Sequence, residues 1–415
     1  MPAAGGLAPQ AGAARPLVVM VINEAWFFRS HFRGWAEAAA GNGFEVTVLT
    51  RPDGGPEAMA GGLVRLADGG AARGGLRPKG LVRAARALAA RVQAGHVPAG
   101  GEQAGRPVIV HAVGLHGLAI VALARLRGLK VPVAVSLTGL GFLASAAAPA
   151  RLAGLAAASV MRRLVDGPQT LWLVENDHDA ARIGLGRAAA EGRCIRLTGV
   201  GVDPAAFPVE PMPSVPPLKL ILVARMIRSK GIDLAVAALS EARAKGIDAR
   251  LTLVGEPDAD NPHSHTAIEL DSFAGREGVD WLGRRDDVAA LLAGHHAFIL
   301  PSRGGEGLPR ALLEAAAAGR PAIVTDVPGC RDFVSDGATG LVVPPENVGA
   351  LAGAIGAMAA ADPAAMGARA RARLVATGTA AEVCATVVES YRRLVLSQGE
   401  VGEGLSSCKE PSKRG

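Results

Sequence analysis

Short apolar runs and stretches of helical period alternate along this chain, and most runs end on polar residues or glycine. Leu17–Ile22, Glu45–Thr50, Val108–His111, Val131–Ser136, Leu171–Val174 and Cys194–Leu197 read as strands of a first half. Leu218–Ala224, Arg250–Val254, Val279–Leu282, His296–Leu300 and Ala322–Thr325 read as strands of a second half. Runs that are apolar throughout suit parallel strands covered on both faces. After the first run, Glu24–Ser30 reads as a loop, followed by a helix over His31–Ala40 that Gly41 and Gly43 stop. Further helices are expected over Leu115–Arg127, from His178 with Asp177 as its N-cap, over Ile232–Ala244 and Arg284–Ala293, and over Glu382–Leu396. Strand and helix in strict alternation predict an α/β fold with parallel sheets.

The alternation breaks once. Pro204–Pro217 holds six prolines, which makes a stiff, extended connection. The expected organisation is a disordered leader over 1–16, an N-terminal domain over 17–207, and a linker over 208–217. A C-terminal domain over 218–382 follows, then a helix over 383–396 that could cross back to the first domain, and a polar disordered tail over 397–415. The hinge reading puts two sheets face to face across a cleft.

Composition narrows the function. Apolar residues make up 49% and charged residues 20% of the 415, as in a globular protein. A net charge of +6 favours anionic partners. Aromatics are only 3%, with Tyr391 the sole tyrosine, which speaks against stacking of single-stranded nucleic acid. Cys194, Cys330, Cys384 and Cys408 show neither zinc spacing nor a disulfide framework, and fit a reduced, cytoplasmic setting. Val131–Ala150 carries no charge but is broken by Pro132, Gly139, Gly141 and Pro149, and reads as strand, loop and helix start rather than a membrane span. Lys79–Gln93 reads as a basic amphipathic helix, either an ordinary surface helix or a contact for anionic lipid headgroups. No G-x-G-x-x-G follows the first strand, so a dinucleotide fingerprint is lacking.

The chemistry concentrates in Pro301–Pro328. A strand feeds a turn with Gly304, Gly305 and Gly307, Pro309 sits where a first helical residue would, and Arg310–Ala318 is rich in helix formers before Gly319 stops it. Free amides at such a helix start attract phosphate. Glu306 in the turn and Glu314 in the helix cannot hold phosphate, but they can accept hydrogen bonds from hydroxyls. A diphosphate flanked by hydroxyl-rich groups, as in a nucleotide sugar, fits both features. The bland alternative is a pair of glutamates on a solvated helix face. After Leu218–Ala224, the loop holding Arg225, Arg228 and Lys230 could neutralise that diphosphate, or could be ordinary surface cations.

Glu306 and Glu314, in the setting EGLPRALLEA, resemble the signature of retaining GT-B glycosyltransferases, family 4 in particular. The segments GEPDADNP, WLGRRDDV and DVPGCRDFV are similar to bacterial enzymes that extend capsular, exopolysaccharide or lipid-linked glycans. The resemblance implies a GT-B architecture of two Rossmann-like parallel-sheet domains. It implies that Glu306 contacts the donor sugar and Glu314 the ribose, and that Arg225 and Lys230 hold the donor phosphates. Gly255 would end the strand before the base-side loop, with Gly305, Gly307, Leu308 and Pro309 forming the donor turn. Glu306, Arg225 and Lys230 would be the catalytic set.

The first half departs from the family's pattern. NEAWFFRSHFRG stands where many members have a Gly-Gly loop, and Thr138-Gly139-Leu140-Gly141 stands where many place a histidine. Asn23, Ser30, His31, Arg33, Thr138 and Gly139 are therefore acceptor-side candidates. His111 and His116, at or just after a strand's C-terminal end, join them, although a lone histidine is more often structural. The SHFR-like and TGLG-like elements resemble transferases acting on undecaprenyl-diphosphate-linked sugars. The implied reaction is transfer from a UDP-sugar with retention, to a glycan or lipid-linked acceptor, without metal or other cofactor, on the cytoplasmic side, either in solution or peripherally at the inner membrane surface. A nucleotide-sugar epimerase on the same architecture and a non-catalytic sugar- or lipid-binding protein are the other classes left open.

Overall fold

The structure is a computed structural model that describes residues 14–54, 58–70, 78–96, 106–140, 148–259, 261–305 and 307–406. Among the described residues, fourteen strands form two sheets. The first holds β1 (Leu17–Glu24), β2 (Glu45–Arg51), β3 (Ala58–Met59), β4 (Val64–Asp68), β5 (Val108–Val113), β6 (Val133–Leu137), β7 (Thr170–Val174) and β8 (Cys194–Arg196), in the order β3-β4-β2-β1-β5-β6-β7-β8. The second holds β9 (Leu218–Val223), β10 (Ala249–Val254), β11 (Val279–Trp281), β12 (Ala297–Leu300), β13 (Ala322–Thr325) and β14 (Gly340–Val343), in the order β11-β10-β9-β12-β13-β14. Every pairing is parallel except β3 with β4.

The two faces of β1 show why its whole run is apolar. Leu17, Val19 and Val21 enter one core with Leu88 and Leu118 of the helices Pro78–His96 and Gly114–Arg125. Val18, Met20 and Ile22 enter another with Trp35 and Ala39 of the helix Arg33–Gly41. In the second domain, Leu218, Leu220 and Leu222 pack with Ala235 and Leu239, while Ile221, Phe298 and Leu300 pack under the helix Arg310–Ala317. A sheet covered on both faces can dispense with polar alternation.

The linker is stitched to the second domain. The buried Arg320 guanidinium donates to the carbonyls of Glu210, Leu292 and Ala293. His296 Nδ1 accepts the Lys219 amide at 2.8 Å, so Nε2 carries the proton and donates to the Pro213 carbonyl at 2.9 Å. The last helix, Ala380–Ser406, lies on the first domain, where Val383, Val387, Tyr391 and Leu394 join the core with Met20 and Trp35.

Several local expectations change. The expected loop Glu24–Ser30 is helical from its second residue, Glu24 closing β1: a turn over Ala25–Phe27 runs into a five-residue π-helix, Phe28–Phe32. Phe28 and Phe32 are both fully buried, and one face must supply both anchors. The N-cap expected at Asp177 moves back to Asn176, whose Oδ1 accepts the Asp179 amide at 2.8 Å, and the helix begins at Asp177. Asp287 is occupied by Arg285, and the helix expected from Arg284 begins only at Val288. The final helix does not end at Leu396 but continues to Ser406, so residues 397–406 are not the unstructured tail the sequence suggested. Tertiary bonds carry it: Gln169 donates to the Ser397 carbonyl and Gln398 to the Val108 carbonyl. No single helix among the described residues is long and apolar enough to cross a membrane.

Candidate active site

The two sheets turn their C-terminal edges toward one cleft, and charge gathers there. From the first domain, the buried Phe28 and Phe32 fix the π-helix that follows β1 and so present His31 and Trp26. Such π-turns recur at functional sites. From the second domain come Arg225 after β9, Lys230 in the short turn Arg228–Lys230, and Arg310 at the start of its helix. Burial, and then the positive charges of Arg310, Lys230 and Arg225, push His31 down to about 3. His31 is therefore neutral and faces a focus of three cations. Its Nδ1 lies 2.7 Å from Ser30 Oγ. The Arg225 guanidinium also reaches across, 5.9 Å from the centre of the Trp26 ring.

The cations are held in place. Arg225 Nη1 donates to Asp258 Oδ2 at 2.8 Å while the side chain stays half-exposed. Arg310 Nε donates to Glu314 Oε1 at 2.8 Å, one helical turn on. Glu314 is only 9% exposed, so it does not lie on a solvated face. Burial raises its carboxyl above the ordinary value, and Arg310 opposes that rise.

The glycine turn touches the other domain. Gly304 and Gly305 have φ of +115° and +79°, a region that favours glycine. Glu306, the acid assigned to the donor sugar, lies outside the described residues. A Cβ on Gly307 would come within 1.9 Å of Glu175 Oε2 and 2.8 Å of the Thr138 backbone, so only glycine admits this approach. The Leu308 amide donates to Glu175 Oε2 at 2.6 Å. Pro309 is the N-cap, with ψ of 124°, not the first helical residue. Its extended backbone is what allows the chain to leave the turn, and the helix opens at Arg310. Gly255 follows β10 at φ +142°, where a Cβ would strike the Ala224 carbonyl. It lets the two strand ends converge just before Arg225.

The structure thus brings together His31, Arg225, Lys230, Glu314, Gly307, Leu308 and Thr138, with Gly139 beside Thr138 at φ +94°. Asn23 lies half-buried at the end of β1. Arg33 is exposed and paired with its own Glu37. His116 is half-buried in the first turn of the helix after β5, its Nε2 has no hydrogen-bond partner, and burial lowers its pKa.

His111 is a correction. β5 runs on to Val113, which leaves His111 inside the strand rather than at its end. The side chain is 0% exposed, stacked 5.9 Å from Trp35, with Nδ1 2.6 Å from Tyr391 Oη and Nε2 2.7 Å from Ser136 Oγ. Burial pushes it down to about 3. It ties the last helix to the first sheet and does not reach the cleft.

Three residues of the site were not anticipated: Trp26, Glu175 and Arg310. Arg310 stands four before Glu314, a readable pairing. Trp26 is 40% exposed in a chain poor in aromatics, which is a usable signal. Glu175 gives no sequence signal beyond its place at a strand end. Among the described residues no group of three or more histidines, cysteines or acids is placed to hold a metal ion. Cys194 and Cys384 are free thiols.

This arrangement, two parallel-sheet α/β domains with the cleft between their strand ends, is the GT-B architecture. HepE from Anabaena, solved in complex with UDP and glucose, superimposes with a TM-score of 0.67 at 16% identity, over 91% of this chain and 99% of that one. Residues 217–361 match the family described as glycosyl transferases group 1, and the second domain is a group 1 glycosyltransferase domain. Glycogen synthase of Mycobacterium tuberculosis is 33% identical over 178 residues, 41% of this chain and 41% of the relative. The N,N'-diacetylbacillosaminyl-diphospho-undecaprenol alpha-1,3-N-acetylgalactosaminyltransferase of Campylobacter jejuni is 33% identical over 128 residues, 31% of this chain and 32% of the relative. The chain therefore aligns with well under half the length of these curated relatives.

Proposed function

We propose that this protein transfers a sugar from a UDP-sugar to a glycan or undecaprenyl-diphosphate-linked acceptor in cell-surface polysaccharide assembly, with retention at the anomeric carbon. The convergence of Arg225, Lys230 and Arg310 on one side of the cleft, opposite a neutral His31, carries this reading. Three cations at that point match a leaving diphosphate, whose charge grows as the glycosidic bond breaks. Fixed charges aimed at developing charge are often the largest catalytic contribution. Glu314 retains Oε2 for the ribose hydroxyls while Arg310 engages Oε1. Glu306 would orient the donor sugar. The acceptor would enter from the first domain past Trp26, His31 and Thr138, and the leaving phosphate would take its proton on the same face. The charge is supplied by side chains, so the scheme calls for no metal.

The UDP complex of HepE and the lipid-linked substrate in the Campylobacter relative's name support the donor and acceptor classes chosen. The free thiols of Cys194 and Cys384 suit a reducing cytoplasm. A peripheral seat on an anionic membrane would use the helix Pro78–His96. There the half-buried Arg91 bonds Thr47 Oγ1, which leaves Lys79, Arg83 and Arg86 as the exposed basic positions described, Arg83 also bonding the Gly70 carbonyl. Incubation with UDP-sugars and a lipid-linked acceptor, with the new linkage read by NMR, tests the proposal. A glycoside of the donor's anomeric configuration supports it. A sugar isomerised without acceptor would point to an epimerase instead.

A further inference from the structure

The first domain places a carboxylate on the donor turn. Glu175 stands at the end of β7, 8% exposed, and its Oε2 accepts the Leu308 amide at 2.6 Å. Pro309 offers no N–H, so Leu308 supplies the last amide before those of the helix Arg310–Ala317. The contact is close by construction. Gly307 lies so near Glu175 Oε2 and the Thr138 backbone that no side chain fits between them.

The support for Glu175 is rigid. Asn176 caps the next helix through Oδ1 and donates from Nδ2 to Asp179 Oδ2 at 3.1 Å. A second tie crosses the same edge, where Arg196 bridges Asp177 of the first domain and Asp332 of the second. An anion that approaches the start of this helix meets an amide already engaged by a carboxylate, and meets that carboxylate's negative charge.

We propose that Glu175 is an interdomain clasp that competes with a nucleotide diphosphate for the Leu308 amide, so that donor binding is coupled to the contact between the two domains. This rests on the donor-site reading above. The clasp sets the donor affinity below what Arg225, Lys230 and Arg310 alone would give. It also lets the diphosphate, once bound, loosen the first domain's grip on the turn.

The test is calorimetric titration of the full chain with UDP, for the wild type, Glu175→Gln and Glu175→Ala, with thermal melts to establish folding. Glu175→Gln keeps the shape and removes the charge. We expect it to bind UDP about 5- to 20-fold tighter than the wild type, the range expected when a charge-assisted hydrogen bond no longer competes. Glu175→Ala should do the same, and the KM for the donor should fall in both. Folded variants that bind UDP equally or more weakly overturn the clasp, because a carboxylate that merely positions the turn would aid binding. A wild type that fails to bind UDP overturns the donor reading, and the clasp with it, and is told apart from the first failure by the wild-type titration alone.

Discussion

Arg310 and Glu314 form a 2.8 Å ion pair across one helical turn, with the carboxylate almost out of solvent and the guanidinium at the cleft. Removal of Arg310 leaves a buried carboxylate with no cation. Arg310→Ala should therefore raise the Glu314 pKa further and lower stability near neutral pH. The sign follows from proton binding. Glu314 already holds its proton to higher pH in the folded chain than in the unfolded one, so its contribution falls as pH rises through that window. Melting curves of Arg310→Ala should show a steeper loss of stability between acid and neutral pH than the wild type, and Arg310→Ala/Glu314→Gln should recover it.

His31 titrates the other way. Its pKa is near 3 when folded against 6.5 ordinarily, so the unfolded chain binds more protons between those values. Stability should rise with pH through that interval and level off above it. A diphosphate bound opposite His31 offsets the three cations and raises its pKa. Titration with UDP at pH 4.5, below the second ionisation of its terminal phosphate, in buffers of different ionisation enthalpy should then show more proton uptake in the wild type than in His31→Asn. Equal uptake in both would place the effect elsewhere.

Tyr391 should matter for stability and not for the donor. Tyr391→Phe leaves His111 Nδ1 buried without its partner, at a cost of about 1–3 kcal/mol. The melting temperature should fall while UDP affinity stays unchanged. A loss of UDP affinity in a folded variant would restore His111 to the site.

Arg225 should be a kinetic residue. Arg225→Ala should lower kcat by about 10²–10³, the cost of one preorganised electrostatic donor. Arg225→Lys should restore only part of this, because a planar guanidinium suits both Asp258 and the Trp26 ring. Steady-state rates at saturating donor decide it.

The architecture was legible because its determinants are local. The LVVMVI of β1 and the LKLILV of β9 announce strands buried on both faces, and the glycine turn before Arg310 announces a helix start. The site was legible where single segments carry it, as from Gly304 to Glu314 and from Arg225 to Lys230. Glu175 meets Leu308 from 133 positions away, and His31 owes its low pKa to burial first and then to cations carried by the other domain. Periodicity cannot register such meetings. His111 misled for a related reason: two extra residues of β5 decide between a strand end and a core, and strand ends depend on the neighbours' register. The aromatic run after β1 looked like a loop because its helical spacing serves a core that other segments supply.

The most direct measurement is a thermal-shift screen of nucleotide sugars against the wild type and Glu314→Ala. A ligand at a hundredfold excess over its Kd stabilises the folded chain by about 2.7 kcal/mol. The account predicts a clear upward shift with one or more UDP-sugars, lost or much reduced in the variant. No shift with any nucleotide sugar, or an equal shift in both proteins, would contradict a donor site at Arg225, Lys230, Arg310 and Glu314.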